Sequence, residues 1–181
     1  TTLAIVLLLF ILGNIGFGHI PKIFFPDSDM RQFFIDYRRP EGVRLTTVSE
    51  DLKKVETHLE TLPEVRSYAT CVGQGPPRFA LSITPEPRNK AFGQVIVNVH
   101  DYKTINRLIR HLSNWFPEHL PQGKPHIWKY INGPNADYDV EARFTGPDPQ
   151  KLRNLSEKAK AIMRADSLAR NVCDDWRERV M

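Results

Sequence analysis

Side chains that could do acid–base, nucleophilic or metal chemistry are scattered along this 181-residue sequence. None of the six histidines shows the H-x-x-x-H or H-E-x-x-H spacing that places two metal ligands on one helical face. Gly73-x-Gly75 lacks the third glycine of a nucleotide-binding fingerprint. Two pairs of carboxylates are close in sequence, Asp27 with Asp29 and Asp174 with Asp175. Helix capping and solvation account for the first pair, and a turn accounts for the second, where Ca²⁺ binding is the alternative. We therefore expect no enzyme activity, no resident metal and no cofactor.

Charge and cysteine content exclude few classes of protein. The net charge is +4, but Lys and Arg are scattered without a run of five, which is typical of a solvated surface and not of a nucleic-acid-binding stripe. The two cysteines, Cys71 and Cys173, match no metal or redox motif. A disulfide between them and two unpaired thiols are both compatible with the sequence.

The first 21 residues contain no Lys, Arg, Asp or Glu, and residues 3–12 are apolar on every helical face. A helix of about 20 residues is about 30 Å long, which matches the hydrocarbon core of a bilayer. We predict a transmembrane helix over residues 1–25. A secretory signal peptide is the second interpretation, but the run lacks a basic leader and an A-x-A-like cleavage site. A buried core helix is the third.

The region after the apolar run alternates between strand and helix patterns. A capping box at Thr47-Val48-Ser49-Glu50 predicts the start of a helix whose apolar stripe reaches Leu62. A second helix is predicted from Asp101, as its cap, to Pro117, which should end it. Strands are predicted at 32–38, 65–72, 92–99 and 125–131, with a loop at 73–89 whose residues 78–83 form a short strand or an extended arm. The order β-α-β, β-α-β predicts an α+β, ferredoxin-like βαββαβ domain over residues 26–134, with both helices on one face.

A second, incomplete unit is predicted over residues 135–181. It comprises a strand at 138–144, a helix capped by Asp148 with Pro149 at its first position, and a strand at 168–173. We expect an inward-facing helical stripe: Leu152, Leu155, Ala159 and Ile162. A single β-α-β unit should not be stable alone, so we interpret it as the start of a truncated domain. An appendage packed on the first domain is the alternative.

The third predicted strand raises an RNA-binding alternative. Residues 90–97 have the outline of the RNP1 motif, and the same fold occurs in RNA recognition motifs. That mechanism needs exposed aromatic rings on which bases stack. Phe92 would supply one ring, but Gln94 and Val97 replace the other two. We therefore expect no nucleic-acid partner.

Several passages together resemble the bacterial resistance–nodulation–division (RND) transporters of the hydrophobe/amphiphile efflux type. They are Phe25-Pro26-Asp27-Ser28-Asp29, Arg39-Pro40-Glu41-Gly42, Pro63-Glu64-Val65, Val72-Gly73-Gln74-Gly75-Pro76-Pro77-Arg78-Phe79 and Gly146-Pro147-Asp148-Pro149. The resemblance covers essentially the whole chain. It is closest to the second half of such a pump, where the seventh transmembrane helix leads into the C-terminal porter subdomains.

The resemblance implies a proton-driven efflux pump whose porter subdomains flank a substrate cleft. Its expected partners are hydrophobic or amphiphilic small molecules, membrane lipid, a periplasmic adaptor protein and an outer-membrane channel, and it is expected to be a homotrimer. The expected location is the bacterial inner membrane, with the soluble part in the periplasm. The proton-relay residues would lie in other spanning helices. A membrane-anchored ligand-binding or sensor module is the alternative function.

Five residues are candidate substrate contacts. The loop that matches the family's mobile loop beside the drug path contributes Arg78 and Phe79. On the last predicted strand, His126, Trp128 and Tyr130 share one face. That face either lines the cleft or packs in the core. We assign Phe33, Ile35 and Tyr37 of the first strand to sheet packing.

Overall fold

The computed structural model describes residues 2–18, 28–80, 83–130, 140–166, 169 and 172–176. In chain order its elements are α1 (Thr2–Gly18), β1 (Gln32–Arg38), α2 (Leu45–Glu60), β2 (Val65–Val72), β3 (Phe92–Val99), α3 (Ile105–His119), β4 (Lys124–Lys129) and α4 (Pro149–Arg164). A single 3₁₀ turn, Tyr102–Thr104, leads into α3, and the Asp101 carboxylate accepts a hydrogen bond from the Lys103 amide there.

The four strands form one antiparallel sheet in the order β2-β3-β1-β4. Consecutive β-α-β units interleaved in this way are the arrangement of the ferredoxin-like fold. The first three strands have the predicted bounds, and β4 begins one residue earlier than predicted. Its predicted last residue, Ile131, lies outside the described residues. The sequence-based fold prediction is therefore confirmed for this part of the chain.

Helices α2 and α3 cover one face of the sheet and enclose the core. The predicted stripe of α2 is buried at Val48, Leu52, Val55 and Leu59. Phe33, Ile35 and Tyr37 project into the same core and are fully buried, which confirms their packing role. The fit between α2 and β3 is close, because a Cβ atom at Gly93 would overlap the Leu52 side chain.

Two predicted helix ends are wrong. Helix α2 begins at Leu45, and Thr47 lies in its first turn with its amide bonded to the Arg44 carbonyl, so Thr47 is not the N-cap of a capping box. Leu45, the first residue of the helix, lies close to Gly73. Helix α3 continues past Pro117 to His119. In the last turn of a helix, a proline removes one backbone hydrogen bond without stopping the chain from completing the turn.

Helix α1 comprises 17 residues, against the 25 of the predicted transmembrane segment, and residues 19–25 lie outside the described part. In the described ranges, no helix is both long enough and apolar enough to cross a membrane.

The C-terminal unit differs most from expectation. Helix α4 starts as predicted, with the Asp148 carboxylate accepting hydrogen bonds from the Gln150 and Lys151 amides. Its apolar stripe does not face inward, because no α4 residue is buried and Ile162 is 75% exposed. An apolar stripe is buried only when another element packs on it, and none of the described elements buries this one.

The strands predicted on either side of α4 are not seen in the described residues. Residues 140–144 are exposed and form no strand. The strand prediction for 138–144 is therefore wrong over these residues. A strand needs a partner for its backbone hydrogen bonds. Residues 138, 139, 168, 170 and 171, together with the predicted domain boundary at 134/135, lie outside the described residues. Cys71 and Cys173 are both free thiols, so they form no disulfide.

Candidate functional site

The sheet face opposite the helices, here called the helix-free face, carries aromatic and carboxylate side chains. Alternation along β1 turns Phe34 and Asp36 to this face while Phe33, Ile35 and Tyr37 point into the core. Cross-strand pairing then adds the partners of Phe34, which are Ile96 and Trp128, and those of Asp36, which are Gln94 and His126. Three strands therefore contribute to one surface.

The segment between β2 and β3, residues 73–89, is here called the arm, and its described residues, 73–80 and 83–89, contact this face. Phe79 of the arm stacks on Phe34, with ring centroids 6.3 Å apart and planes inclined by 28°. An ion pair fixes the other side of the arm, since Arg38 of β1 lies 3.0 Å from Glu86. In its described residues the arm forms no strand, and the Ile83 amide bonds to the Ala80 carbonyl at 3.2 Å, so the short strand predicted as one alternative for residues 78–83 is not seen there.

Short backbone hydrogen bonds close the arm on itself. The Gly75 amide donates to the Glu86 carbonyl at 3.1 Å, and the Asn89 amide donates to the Gly73 carbonyl at 2.8 Å. Gly73 has a φ of 80°, which a glycine adopts without steric cost. A Cβ atom at Gly75 would lie 2.7 Å from the Glu86 nitrogen, so only glycine allows the two limbs to approach this closely.

Three rings form an aromatic row on the helix-free face: Phe79, Phe34 and Trp128. Phe34 and Trp128 are stacked with centroids 4.2 Å apart and planes inclined by 18°. Phe34 is fully buried beneath its neighbours, whereas Phe79 is 50% exposed. The row is therefore buried at its centre, Phe34, and half-exposed at its Phe79 end.

A carboxylate lies beside the row. Trp128 Nε1 donates to Asp36 Oδ2 at 2.8 Å, and Gln94 Nε2 donates to Asp36 Oδ1. Burial raises the pKa of Asp36, and the two hydrogen bonds and the positive charges of His126 and Arg38 oppose that rise only in part. Asp36 holds the Trp128 indole in its stacked orientation.

The five predicted contacts are not all in one place. Phe79 and Trp128 meet through Phe34, and His126 lies on the same face opposite Asp36. Arg78 is exposed on the arm, where its Nε donates to the Ala80 carbonyl at 3.4 Å. Tyr130 follows the last residue of β4 and is partly buried. The β4 side chain that packs against the helix-covered core is Ile127.

The prediction missed Phe34 and Asp36, which link the arm to β4. The sequence of β1 contains a sign of their role. Phe33, Ile35 and Tyr37 account for one face of the strand, and Phe34 makes the opposite face apolar as well. A strand that is apolar on both faces is covered on both.

The RNA-binding alternative fails at its one aromatic position. Phe92 is 1% exposed, and the Arg38 guanidinium lies over its ring, 4.9 Å from the centroid. A ring covered in this way is not available for base stacking.

Comparison with known proteins finds likeness in structure only. No protein-family model matches the chain, and no curated protein matches it. Among the solved structures that are similar are two that are both described as a heavy metal efflux pump. Crystal form II shares 18% sequence identity with a TM-score of 0.58. Crystal form I shares 17% identity with a TM-score of 0.59. Each match covers 90% of this chain and 18% of the other, so the chain spans about a fifth of the length of those proteins.

Proposed function

We propose that this chain belongs to the periplasmic porter region of a proton-driven efflux pump, and that its helix-free face forms part of a wall of the substrate cleft. The observation that carries the proposal is the aromatic row, in which the half-exposed ring of Phe79 stacks on buried Phe34, which in turn stacks on Trp128. The likeness in fold to two structures of an efflux pump supports the same assignment.

The row suits hydrophobic or amphiphilic cargo with a flat apolar part. A Phe side chain presents roughly 150–250 Å² of surface, so covering its exposed half removes about 100 Å² from water. At about 25 cal/mol per Å² this burial contributes about 2.5 kcal/mol to binding. The arm is the element best placed to adjust to cargo, since it contributes Phe79 and packs across the sheet instead of pairing with it.

We extend the proposal to the protein that would contain this chain. It would be a homotrimer in the bacterial inner membrane, working with a periplasmic adaptor protein and an outer-membrane channel. The uncharged run over the first 21 residues would belong to one helix of its membrane bundle. The motifs that resemble RND transporters support these assignments.

A second candidate cargo is a metal ion, because the two similar structures are described as a heavy metal efflux pump. The two cargo classes make different demands on the site. An apolar molecule needs the exposed ring of Phe79, whereas a metal ion needs nitrogen, oxygen or sulfur ligands and is indifferent to that ring.

Alanine at Phe79 tests the proposal and separates the cargo classes. The matched control is Phe144→Ala, because Phe144 is a comparably exposed ring, at 42%, in the segment before α4. In the complete transporter, Phe79→Ala should raise susceptibility to apolar dyes and detergents at unchanged protein abundance, and Phe144→Ala should not. Unchanged susceptibility to all such compounds would refute the amphiphile assignment. Since a metal ion does not need this ring, that result would favour metal cargo.

A further inference from the structure

Two histidines from different helices meet outside the aromatic row. His58, near the end of α2, and His111, in the middle of α3, approach with their Nε2 atoms 3.1 Å apart. Their ring centroids are 5.2 Å apart, with planes inclined by 25°. We propose that this histidine pair is a binding site for one divalent transition-metal ion of the Zn²⁺ or Cu²⁺ class, which would clamp α2 to α3.

The separation of the two nitrogens suits a shared metal ion. Zinc–imidazole bonds are about 2.0–2.1 Å long, so two nitrogens 3.1 Å apart subtend about 100° at one ion. That angle lies between the octahedral and tetrahedral values of about 90° and about 109°. The described residues contain no group of three or more potential metal ligands, so water would complete the coordination.

The surrounding rings hold the pair in position before any metal binds. Trp115, one helical turn after His111, stacks on His58 with centroids 4.5 Å apart and planes inclined by only 8°. His119, one turn further on, also stacks on Trp115 at 4.5 Å, but its Nδ1 is bonded to the Trp115 carbonyl at 3.0 Å. His58 is therefore oriented by packing, and His119 is engaged elsewhere.

Protonation of the two rings opposes metal binding. Imidazole binds a metal ion as the neutral ring, so protons compete with metal. In that form the two nitrogens either share one hydrogen bond or bind a metal ion in its place.

The test is a Zn²⁺ titration of the untagged full chain by calorimetry near neutral pH. His58→Phe keeps an aromatic ring against Trp115 and removes the nitrogen ligand, and His111→Ala removes the other ligand. The matched control is His119→Ala, which perturbs the same ring stack without touching the pair.

The wild type should bind one Zn²⁺, each ligand variant should bind at least tenfold more weakly, and His119→Ala should remain within about threefold of wild type. Circular dichroism establishes that each variant is folded, and a variant that fails is replaced by His58→Gln or His111→Gln. Saturable binding should also weaken at least tenfold on going to about pH 5.5, where protons displace metal from imidazole. Wild-type affinity in both ligand variants, or no saturable binding to the wild type, would overturn the proposal.

Discussion

Replacing Trp128 with Phe tests whether the aromatic row and the buried carboxylate act as one unit. The substitution keeps a ring against Phe34 but removes the Nε1–H group that donates to Asp36 at 2.8 Å. A hydrogen bond to a charged group typically contributes about 1.5–3 kcal/mol. The smaller ring also loses packing contacts, at about 1 kcal/mol. We therefore expect Trp128→Phe to lower the free energy of unfolding by about 2–4 kcal/mol near neutral pH.

The pH dependence separates the hydrogen bond from the packing. Burial holds the pKa of Asp36 above its ordinary value of 3.8. The folded state therefore holds the Asp36 proton more tightly than the unfolded state does, and protonation stabilises the fold. This stabilisation is complete below pH 3.8 and is lost as the pH rises through the folded-state pKa. Removing the Trp128 donor raises that pKa further, so the deficit of the variant should be largest above it. Towards pH 3.8 the deficit should shrink to the packing loss of about 1 kcal/mol.

Urea denaturation of the full chain at about pH 7.5 and about pH 4 measures both values. Circular dichroism at 222 nm is the appropriate signal, because the substitution removes a fluorophore. The control is Trp176→Phe, whose indole is exposed and lies 4.3 Å from the Arg153 guanidinium, away from the row. It should cost less than about 0.5 kcal/mol at either pH. Equal deficits for Trp128→Phe at the two pH values would refute the idea that this indole stabilises the Asp36 charge.

Three further substitutions test the packing. Gly123→Ala should destabilise the protein by more than about 2 kcal/mol in urea denaturation, because the new Cβ would overlap the Tyr37 ring. The control is Gly146→Ala, whose new Cβ would have its nearest neighbour at 3.6 Å and which should change the free energy of unfolding by less than about 0.5 kcal/mol. Equal losses for the two variants would contradict this account. Tyr37→Phe should cost about 1–2 kcal/mol by the same measurement, because it removes a 2.9 Å hydrogen bond to buried Asp51, and no loss would show that the bond is dispensable. Ile162→Ser should change the free energy of unfolding by less than about 0.5 kcal/mol, since this side chain is 75% exposed, and a larger loss would reveal a contact outside the described residues.

Local periodicity was enough to predict the framework of the domain. The strands at 32–38, 65–72 and 92–99 and the apolar stripe of α2 were predicted at their observed positions. Side-chain direction repeats every two residues in a strand and every 3.6 in a helix, so each pattern can be recognised within about ten residues. The β-α-β order then left few ways to arrange the sheet.

Where prediction was wrong, the deciding contact was not local. Leu45 at the start of α2 lies near Gly73, and the exposed stripe of α4 depends on which elements lie beside it. Neither fact is present in the pattern of the helix itself, because an amphipathic sequence specifies that a face is apolar and not what covers it.

The candidate sites show the same division. The sequence alone identified Phe79 and Trp128 as residues of interest, but their connection through Phe34 follows from strand order and register. Trp128 and its carboxylate partner are 92 residues apart, and the two histidines of the proposed metal site are 53 apart. Residue types and local spacing determined what chemistry the chain carries. Only folding decided which groups meet, because contact between distant residues depends on how the strands and helices pack and not on spacing along the chain.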